Sequence, residues 1–530
     1  MTTSFKQQTL CSPYTRFLGF GLAGVAFCLG LLLPQSAMAT PGLPVITTQP
    51  ISAVVKVGQP HSLSVTNSGT GPFGYQWLKD GVILAGQTNS TLSYTSFAFT
   101  NSGSYSVVIT NAYGMTISFL ASLSVSNAAL LAWGSNTYGQ LGNGTNGNEV
   151  YTSLPITVAS NVVAMARGGN HSLFVKADTP LWAMGYNASG GLGNGTTMDT
   201  SLPVQVTNNV VAVAAGWLHS LFVKTDGTLW AMGYNFAGQL GNGNSGGNAS
   251  TNRPIQVTSN VVAIAAGGEY SLFVKADGTL WAMGCNSYGQ CGNGRTGGIT
   301  NWPIMVASNV MAVTASSYHS LFVKTDGTLW AMGNNADGQL GNGMDGMSAS
   351  TNLPIQVTDN VVAMAAGNQH SMFVKADGTL WAMGNNGYGQ LGAGTLTQTN
   401  RPIVVASNVV SVASGSSHSM FVKADGTLWA TGSNGAGQLG DGTTTMSTVP
   451  VLVNGGSLLA VSLAKGSEAD HSWAIGEILL PGLHVLGING TRFATILPGA
   501  TFTNTFSITN NGLSLLPVLY ENLVWSVALF

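Results

Sequence analysis

The chain has 530 residues, 45% of them hydrophobic, which leaves room for about three or four domains at roughly 100–200 residues each. Charged residues make up only 6% and glycines number 71, a balance that points to a turn-rich β protein and away from a disordered chain. A net charge of −2, with sixteen Lys and Arg scattered along the chain, excludes a basic surface of the kind that binds nucleic acid by counterion release.

Residues 1–39 read as an export signal. Lys6 and Arg16 supply positive charge, Phe17 to Leu33 is apolar, and Ala37-Met38-Ala39 fits a small-x-small cleavage site. The expected localisation is therefore secreted or cell-surface. Membrane contact is expected only if that segment stays uncleaved as a short anchor. Cys11 and Cys28 leave with the signal, so the rest of the chain keeps Cys285 and Cys291. The two can bridge in an oxidising compartment, or Cys291 can serve as a small buried hydrophobe where other repeats carry Leu. They lack the neighbours for a zinc site.

Residues 44–126 carry short alternating runs separated by turn signals, the pattern of a β-sandwich. Tyr75-Gln76-Trp77-Leu78-Lys79-Asp80-Gly81 resembles the third strand of immunoglobulin domains, and Asn101-Ser102-Gly103-Ser104-Tyr105 resembles their tyrosine corner. The resemblance implies a spacer or adhesion module with Val65 and Val107 at the usual disulfide positions.

From 128 to 477 the chain repeats. Leu-Trp-Ala-Met-Gly-x-Asn-x-x-Gly-Gln-Leu-Gly-Asn-Gly recurs, with tryptophans at 133, 182, 230, 281, 330, 381 and 429. A second motif, His-Ser-(Leu/Met)-Phe-Val-Lys-x-Asp-Gly, places His171, His219, His319, His370 and His418 in register, with Tyr270 in the third copy and His471 opening a shortened seventh. A period near 50 with short strands predicts a propeller. In each repeat an apolar strand such as Asn360–Ala366 lies innermost. The His strand runs back, Asp-Gly forms a hairpin with both residues at positive φ, the Trp strand returns between blades, and a strand containing Pro lies at the outer edge. The repeats open on a third-type strand, Leu131–Gly134, and end on a second-type strand, His471–Gly476. Pairing these two is expected to close the seventh blade and remove sheet edges.

Gly139-Gln140-Leu141-Gly142, with its copies at 238–241, 338–341 and 437–440, resembles the repeat signature of the regulator of chromosome condensation family. The fold class is therefore all-β: an immunoglobulin-like sandwich, then a seven-bladed β-propeller, then a short β segment at 478–530. In that last segment Phe502–Gly512 looks like two strands of a partial sandwich, expected to pack on the propeller. Thr179-Pro180 for Gly-Thr, Gly191 for Gln and Ala393 for Asn depart from the repeat and are expected to perturb single turns only.

The chemistry offered by the repeats is sparse. The histidines are expected to hydrogen-bond locally within their blades rather than to form a metal ring. The Lys-x-Asp-Gly turns are expected to be solvated, self-neutralised tips. Gly-x-Asn-x-x-Gly lacks a βαβ context and reads as turn chemistry. No nucleophile–base pair, phosphate loop or metal set is evident, so neither catalysis nor a cofactor is expected. Variation concentrates on one face, the one holding the turn before each His and the long Gly/Asn loops. There Trp217, Leu218, Glu269, Tyr270, Tyr318, Asn368, Gln369 and Asp470, with Tyr138, Phe236, Tyr288 and Tyr388 on the longer loops, form a candidate binding surface. Tyr186 and Tyr234 join them, and packing of these rings between loops is the competing reading.

The expectation is a monomeric interaction scaffold with a protein partner. A carbohydrate-binding or carbohydrate-active propeller, with Trp217, Glu269 and Asp470 lining a central pocket, is the alternative. The resemblance also implies two precedents in relatives: inhibition of β-lactamases by an exported bacterial propeller, and guanine-nucleotide exchange, which an exported chain has no access to perform.

Overall fold

The repeat punctuates strands of about six residues with glycine and asparagine, too short for helices and well suited to small sheets. The computed structural model describes residues 42–56, 58–125, 129–478, 483–486 and 492–496. Residues 1–39, expected to be an export signal, and Phe502–Gly512 lie outside the described residues. Of the C-terminal segment it describes Leu483–Leu486 paired antiparallel with Arg492–Ile496.

Residues 42–125 fold as short sheets around Trp77, Tyr105, Phe97, Leu63 and Leu123, all buried. Val65 and Val107 are buried in the same core. Tyr105 donates its hydroxyl proton to the Asn101 carbonyl, the contact the resemblance implied, and the Trp77 indole donates to the Asn89 carbonyl at 2.8 Å.

Residues 129–478 form seven four-stranded antiparallel sheets. Blades 1–6 follow in order at 162–207, 210–258, 261–307, 310–358, 361–406 and 409–452. Blade 7 joins Leu458–Leu463 and His471–Ile478 to Ala129–Ser135 and Tyr151–Ser160 from the other end of the repeats. The predicted closure forms, with Gly134 opposite His471 and Leu131 opposite Ala474. That register corrects one assignment. Gly134 occupies the position of Gly185, which pairs His171, so Trp133 stands in the Met184 slot and Leu131 in the tryptophan slot. Trp133 is fully buried and donates to the Gln438 carbonyl of blade 6 at 2.9 Å.

Apolar packing runs between blades. Each Phe of the second strand stacks on the Trp of the third strand, in blades 1–5 at 6.2–6.3 Å and 2–7°. On that column sits the Lys of the same blade, its Nζ 4.1–5.4 Å from the Trp ring in blades 1–6. The lysines are thus held by cation–π contact rather than neutralised by the neighbouring Asp. In blades 2–6 that Asp caps its own turn, as Asp226 does by accepting from the Thr228 amide at 3.0 Å and its hydroxyl at 2.6 Å. The hairpin itself differs from expectation. Only its glycine has positive φ, as at Gly278 (76°), and Gly278 N–H bonds to Lys275 C=O at 2.9 Å. This is a type I turn closed by a left-handed glycine, which joins the strands through a bulge. In blade 1, Thr179 holds that position at φ 73°. A β-branched residue there is strained, so Thr179→Gly is expected to raise the unfolding free energy by about 1 kcal/mol, read by denaturant titration.

At the rim, the residue before each outer-strand proline lies over a loop glycine of the preceding blade: Trp302 over Gly243, Leu353 over Gly294 and Leu154 over Gly442. Gly442 N–H bonds to Ser153 C=O at 2.9 Å, so this seam also closes between blades 6 and 7. The exposure of Trp302, Leu353 and Leu154 at the rim is accounted for by this seam.

The N-terminal module is more than a spacer. It covers the hairpin face, where Ile117 N–H bonds to Ala276 C=O at 2.7 Å and Met115 and Phe119 fill the space over Gly278 and Gly227. Its Lys79-Asp80-Gly81 turn enters the axial channel: Lys79 Nζ donates to Val461 C=O at 3.2 Å, and Lys465 Nζ comes within 3.7 Å of where a Cβ on Gly81 would stand. Leu78, Asp80, Gly81, Ser104 and Leu120 thus line one end of a cavity walled by the small residues of the inner strands.

Candidate interaction face

Beneath the loop face runs a closed hydrogen-bond ring. In each blade the residue that opens the second strand reaches the serine of the next blade: His171 to Ser220, His219 to Ser271, Tyr270 to Ser320, His319 to Ser371, His370 to Ser419, His418 to Ser472 and His471 to Ser172, all at 2.7–2.9 Å. The histidines therefore latch neighbouring blades through Nε2, and among the described residues His319 alone of them also shows a side-chain bond within its own blade, Nδ1 to Ser316 Oγ at 2.7 Å. Six of the serines donate their only proton to a carbonyl of the preceding blade's loop, as Ser271 does to Gln239 at 2.8 Å. The imidazoles facing them must then carry the proton on Nε2. Burial pushes His171 and His370 down to about 4 and His219 and His319 to about 3, so all four are neutral. Tyr270, expected on the surface, is fully buried in this ring because its hydroxyl replaces an imidazole nitrogen.

The Asn and Gln of the repeat motif hold the loops from inside. Asn235, fully buried, accepts from the Leu240 amide at 2.9 Å and donates to the Asn244 carbonyl at 3.1 Å. Gln239 accepts from the Ala237 amide at 3.0 Å. The motif is turn chemistry, and it fixes loops whose variable residues point outward.

Sequence reasoning passed over Arg167. Blades 2–5 carry Ala at this place opposite the ring serine, and blade 6 carries Ser414. Arg167 is fully buried, and it donates to the carbonyls of Ala464 (2.9 Å), Ser414 (3.2 Å) and His471. One guanidinium thus ties blade 1 to blades 6 and 7 at the closure. Burial lowers it to about 9, which leaves it charged at neutral pH. The one basic residue in a run of small ones was the available signal.

Above the ring, successive turns bond around the axis: Gly169 N–H to Gly216 C=O at 3.2 Å, Trp217 to Gly268 at 3.3 Å and Ser416 to Ala469 at 3.0 Å. On this rigid mouth Trp217 is 45% exposed and Tyr318 39%, with Phe236 at 55% and Tyr388 at 51% further out. Gln369 and Asp470 are exposed, and Leu218, Glu269, Asn368, Tyr138 and Tyr288 are partly so. The tyrosines do both things anticipated for them. Tyr138 packs edge-on against Tyr186 at 5.0 Å and Tyr288 against Tyr318 at 5.3 Å, while Tyr234 stacks on Phe236 at 6.2 Å. These pairs brace the loops without covering the outer rings. The long loops also expose Met198, Met344, Met347 and Met446, adaptable apolar side chains that the aromatic search missed.

The face is acidic. The long loops carry Glu149, Asp199, Asp337, Asp345 and Asp441 against Arg295, and the guanidiniums of Arg253 and Arg401 lie over Gly195 and Gly343 of two of these loops. The inner turns carry Glu269, Glu468 and Asp470, while Lys465 extends down the channel. Glu468 reaches across the axis: its Oε1 lies 3.3 Å from where a Cβ on Gly268 of blade 3 would stand. Desolvation, with Asp470 adding to it, pushes the Glu468 carboxyl up to about 7. Desolvation also raises Glu269 and Asp470, the latter still open to solvent on one flank. Tyr318 is raised by desolvation and by the Glu468 charge, and Tyr234 by desolvation and Glu269, which brings these four groups into one electrostatic neighbourhood. Cys285 and Cys291 are free thiols, and Cys291 is buried, as expected if it stands in for leucine.

A family model described as the RCC1-like domain matches residues 129–474. Human WBSCR16 superposes with a TM-score of 0.59 at 24% identity, over 66% of this chain and 100% of that one. Prp20p of Saccharomyces cerevisiae, studied for its binding to Gsp1p and histones, superposes with a TM-score of 0.60 at 22% identity, over 68% and 93%. The same yeast protein bound to Kap60 gives 0.59 at 21%, over 67% and 90%. With most of the chain matched and every blade in place, this protein belongs to the RCC1-like domain family.

Proposed function

We propose that this chain is an exported or surface-held scaffold that binds a protein partner through the loop face of its propeller. One observation carries the reading. The N-terminal module, which we read as immunoglobulin-like, covers the hairpin face and enters the channel, so among the described residues the loop face is the open broad surface of the propeller. That face displays aromatic and methionine side chains on a hydrogen-bonded frame, the composition from which binding hot spots are built. Protein partners named for the yeast relative favour the same class of ligand. Export rests on the basic, apolar and small-residue pattern of residues 1–39.

The test is a pull-down with the full chain from culture-medium and envelope fractions. A partner retained by the wild type should be lost with Trp217→Ala, Phe236→Ala, Tyr318→Ala and Tyr388→Ala combined. These residues are at least 39% exposed, so the variant should keep the folded propeller, read by an unchanged far-ultraviolet circular dichroism spectrum. An unchanged set of retained proteins would exclude this face.

A further inference from the structure

Three observations meet where the propeller axis opens on the loop face. Glu468 of blade 7 crosses toward Gly268 of blade 3 and the neighbouring Ser317 of blade 4, and its Oε1 is buried without a hydrogen-bond partner among the described residues. Glu269 and Asp470 stand in the same neighbourhood, so the charge there is of one sign. The exposed rings of Trp217 and Tyr318 rise from the flanking turns. We propose that this mouth receives one cationic side chain, a lysine or an arginine, presented by the protein partner and held between the Glu468 and Glu269 carboxylates and the two aromatic rings. The inference rests on the loop-face reading and adds the chemistry of its central contact.

The charges decide between ligand types. An apolar or anionic group would leave the buried Oε1 of Glu468 unanswered, which is costly for a carboxylate. A cation answers it and gains a ring contact as well. The nearby basic groups are otherwise engaged: Lys465 runs down the channel toward the Asp80 turn, and Arg167 is spent on carbonyls. The acidity of the surrounding loops extends the preference to a partner with a basic contact surface.

Binding is then linked to pH. The titratable groups around Glu468 are Asp470 on its own turn, Glu269 from blade 3 and Tyr318 from blade 4, with Tyr288 packed on Tyr318. Tyr318 is held neutral by its upward shift, and Asp470 adds to the desolvation that disfavours the Glu468 charge. With its carboxyl near 7, Glu468 is largely protonated at pH 6 and largely ionised at pH 8 in the empty mouth. An arriving cation favours the carboxylate and expels that proton.

The experiment titrates the full chain with N-acetyl-L-arginine amide and N-acetyl-L-lysine amide, read by ligand-observed saturation-transfer NMR, with N-acetyl-L-norleucine amide as the neutral control. Both cationic amides should bind and the control should not. Affinity should fall about tenfold between pH 8 and pH 6, following ionisation of the one carboxyl. Glu468→Gln should weaken binding at least tenfold at pH 8 and flatten the pH dependence. Glu269→Gln, which leaves the axial crossing intact, should weaken it several-fold and serves if Glu468→Gln lowers the melting temperature. Equal binding of the norleucine amide, or unaltered binding in both variants, overturns the inference. If the amides fail to bind while the pull-down yields a partner dependent on Trp217, the cation inference falls and the docking reading stands. An empty pull-down removes the docking reading, and this inference with it.

Discussion

Arg167→Met is expected to lower the unfolding free energy by about 3 kcal/mol or more, the largest single-residue effect in the propeller. Replacing a buried charge by an apolar side chain of similar volume is often neutral, because the desolvation cost of the charge disappears with it. Here the partners decide otherwise. Arg167 answers no carboxylate: it satisfies the carbonyls of Ser414, Ala464 and His471, which remain buried when the guanidinium is gone. Each orphaned carbonyl costs about 1–3 kcal/mol, more than is recovered from removing one solvation penalty. Arg167→Lys should fall between wild type and Met, since a single ammonium cannot fork to carbonyls of two blades. Equilibrium unfolding in guanidinium chloride, followed by tryptophan fluorescence, measures the order. A wild-type midpoint for Arg167→Met would mean that closure rests on the strand pairing of blade 7 alone.

Periodicity carried most of the architecture into the sequence. Seven copies of one motif state the blade count, and the offset between the first and last partial copies states how the ring closes. Repetition conveyed less where the structure departs from it. Trp133 could be aligned with the other tryptophans by spacing, and only the pairing of Gly134 with His471 shows it two positions away. His-Ser reads as a local dipeptide, yet its Nε2 hydrogen bond leaves the blade for the serine on the second strand of the next one. Tyr270 was assigned to the surface because its neighbours in sequence are variable, while its size and its hydroxyl fit the latch. The loop face itself was legible, because strand order assigns alternate turns to opposite ends. What occupies the other face was not: the contacts of Met115, Phe119 and Lys79 with the propeller join parts of the chain that share no motif. Arg167 and Glu468 stood in view as breaks in the repeat, and both turn out to span several blades.

Mild acid should unfold the propeller cooperatively, with uptake of several protons. The latching imidazoles have folded-state values below the ordinary 6.5, as in His219 and His319 at about 3 and His171 and His370 at about 4. A depressed value means that the unfolded chain binds the proton first. The stabilisation is therefore complete above pH 6.5 and is lost as pH falls toward 4. At pH 5 each such histidine forfeits about 2 kcal/mol, so four together forfeit about 8 kcal/mol, comparable with the net stability of a whole domain. Glu468, raised to about 7, acts in the opposite sense over pH 7 to 4.5 and offsets roughly one histidine. The geometry explains why the ring cannot simply accept the charge. The Nδ1 atoms of His219, His370, His418 and His471 are buried without an acceptor, and His418 and His471 also lie beside the Arg167 cation. His319 has a partner at that nitrogen among the described residues, Ser316 Oγ at 2.7 Å. The check is the dependence of unfolding free energy on pH between 7 and 4.5, compared with His219→Tyr. Because Tyr270 already fills this slot in blade 3, the tyrosine should preserve the latch at pH 7 and reduce the slope by one proton. A slope below two protons in the wild type, or one that His219→Tyr leaves unchanged, would place acid sensitivity outside the ring.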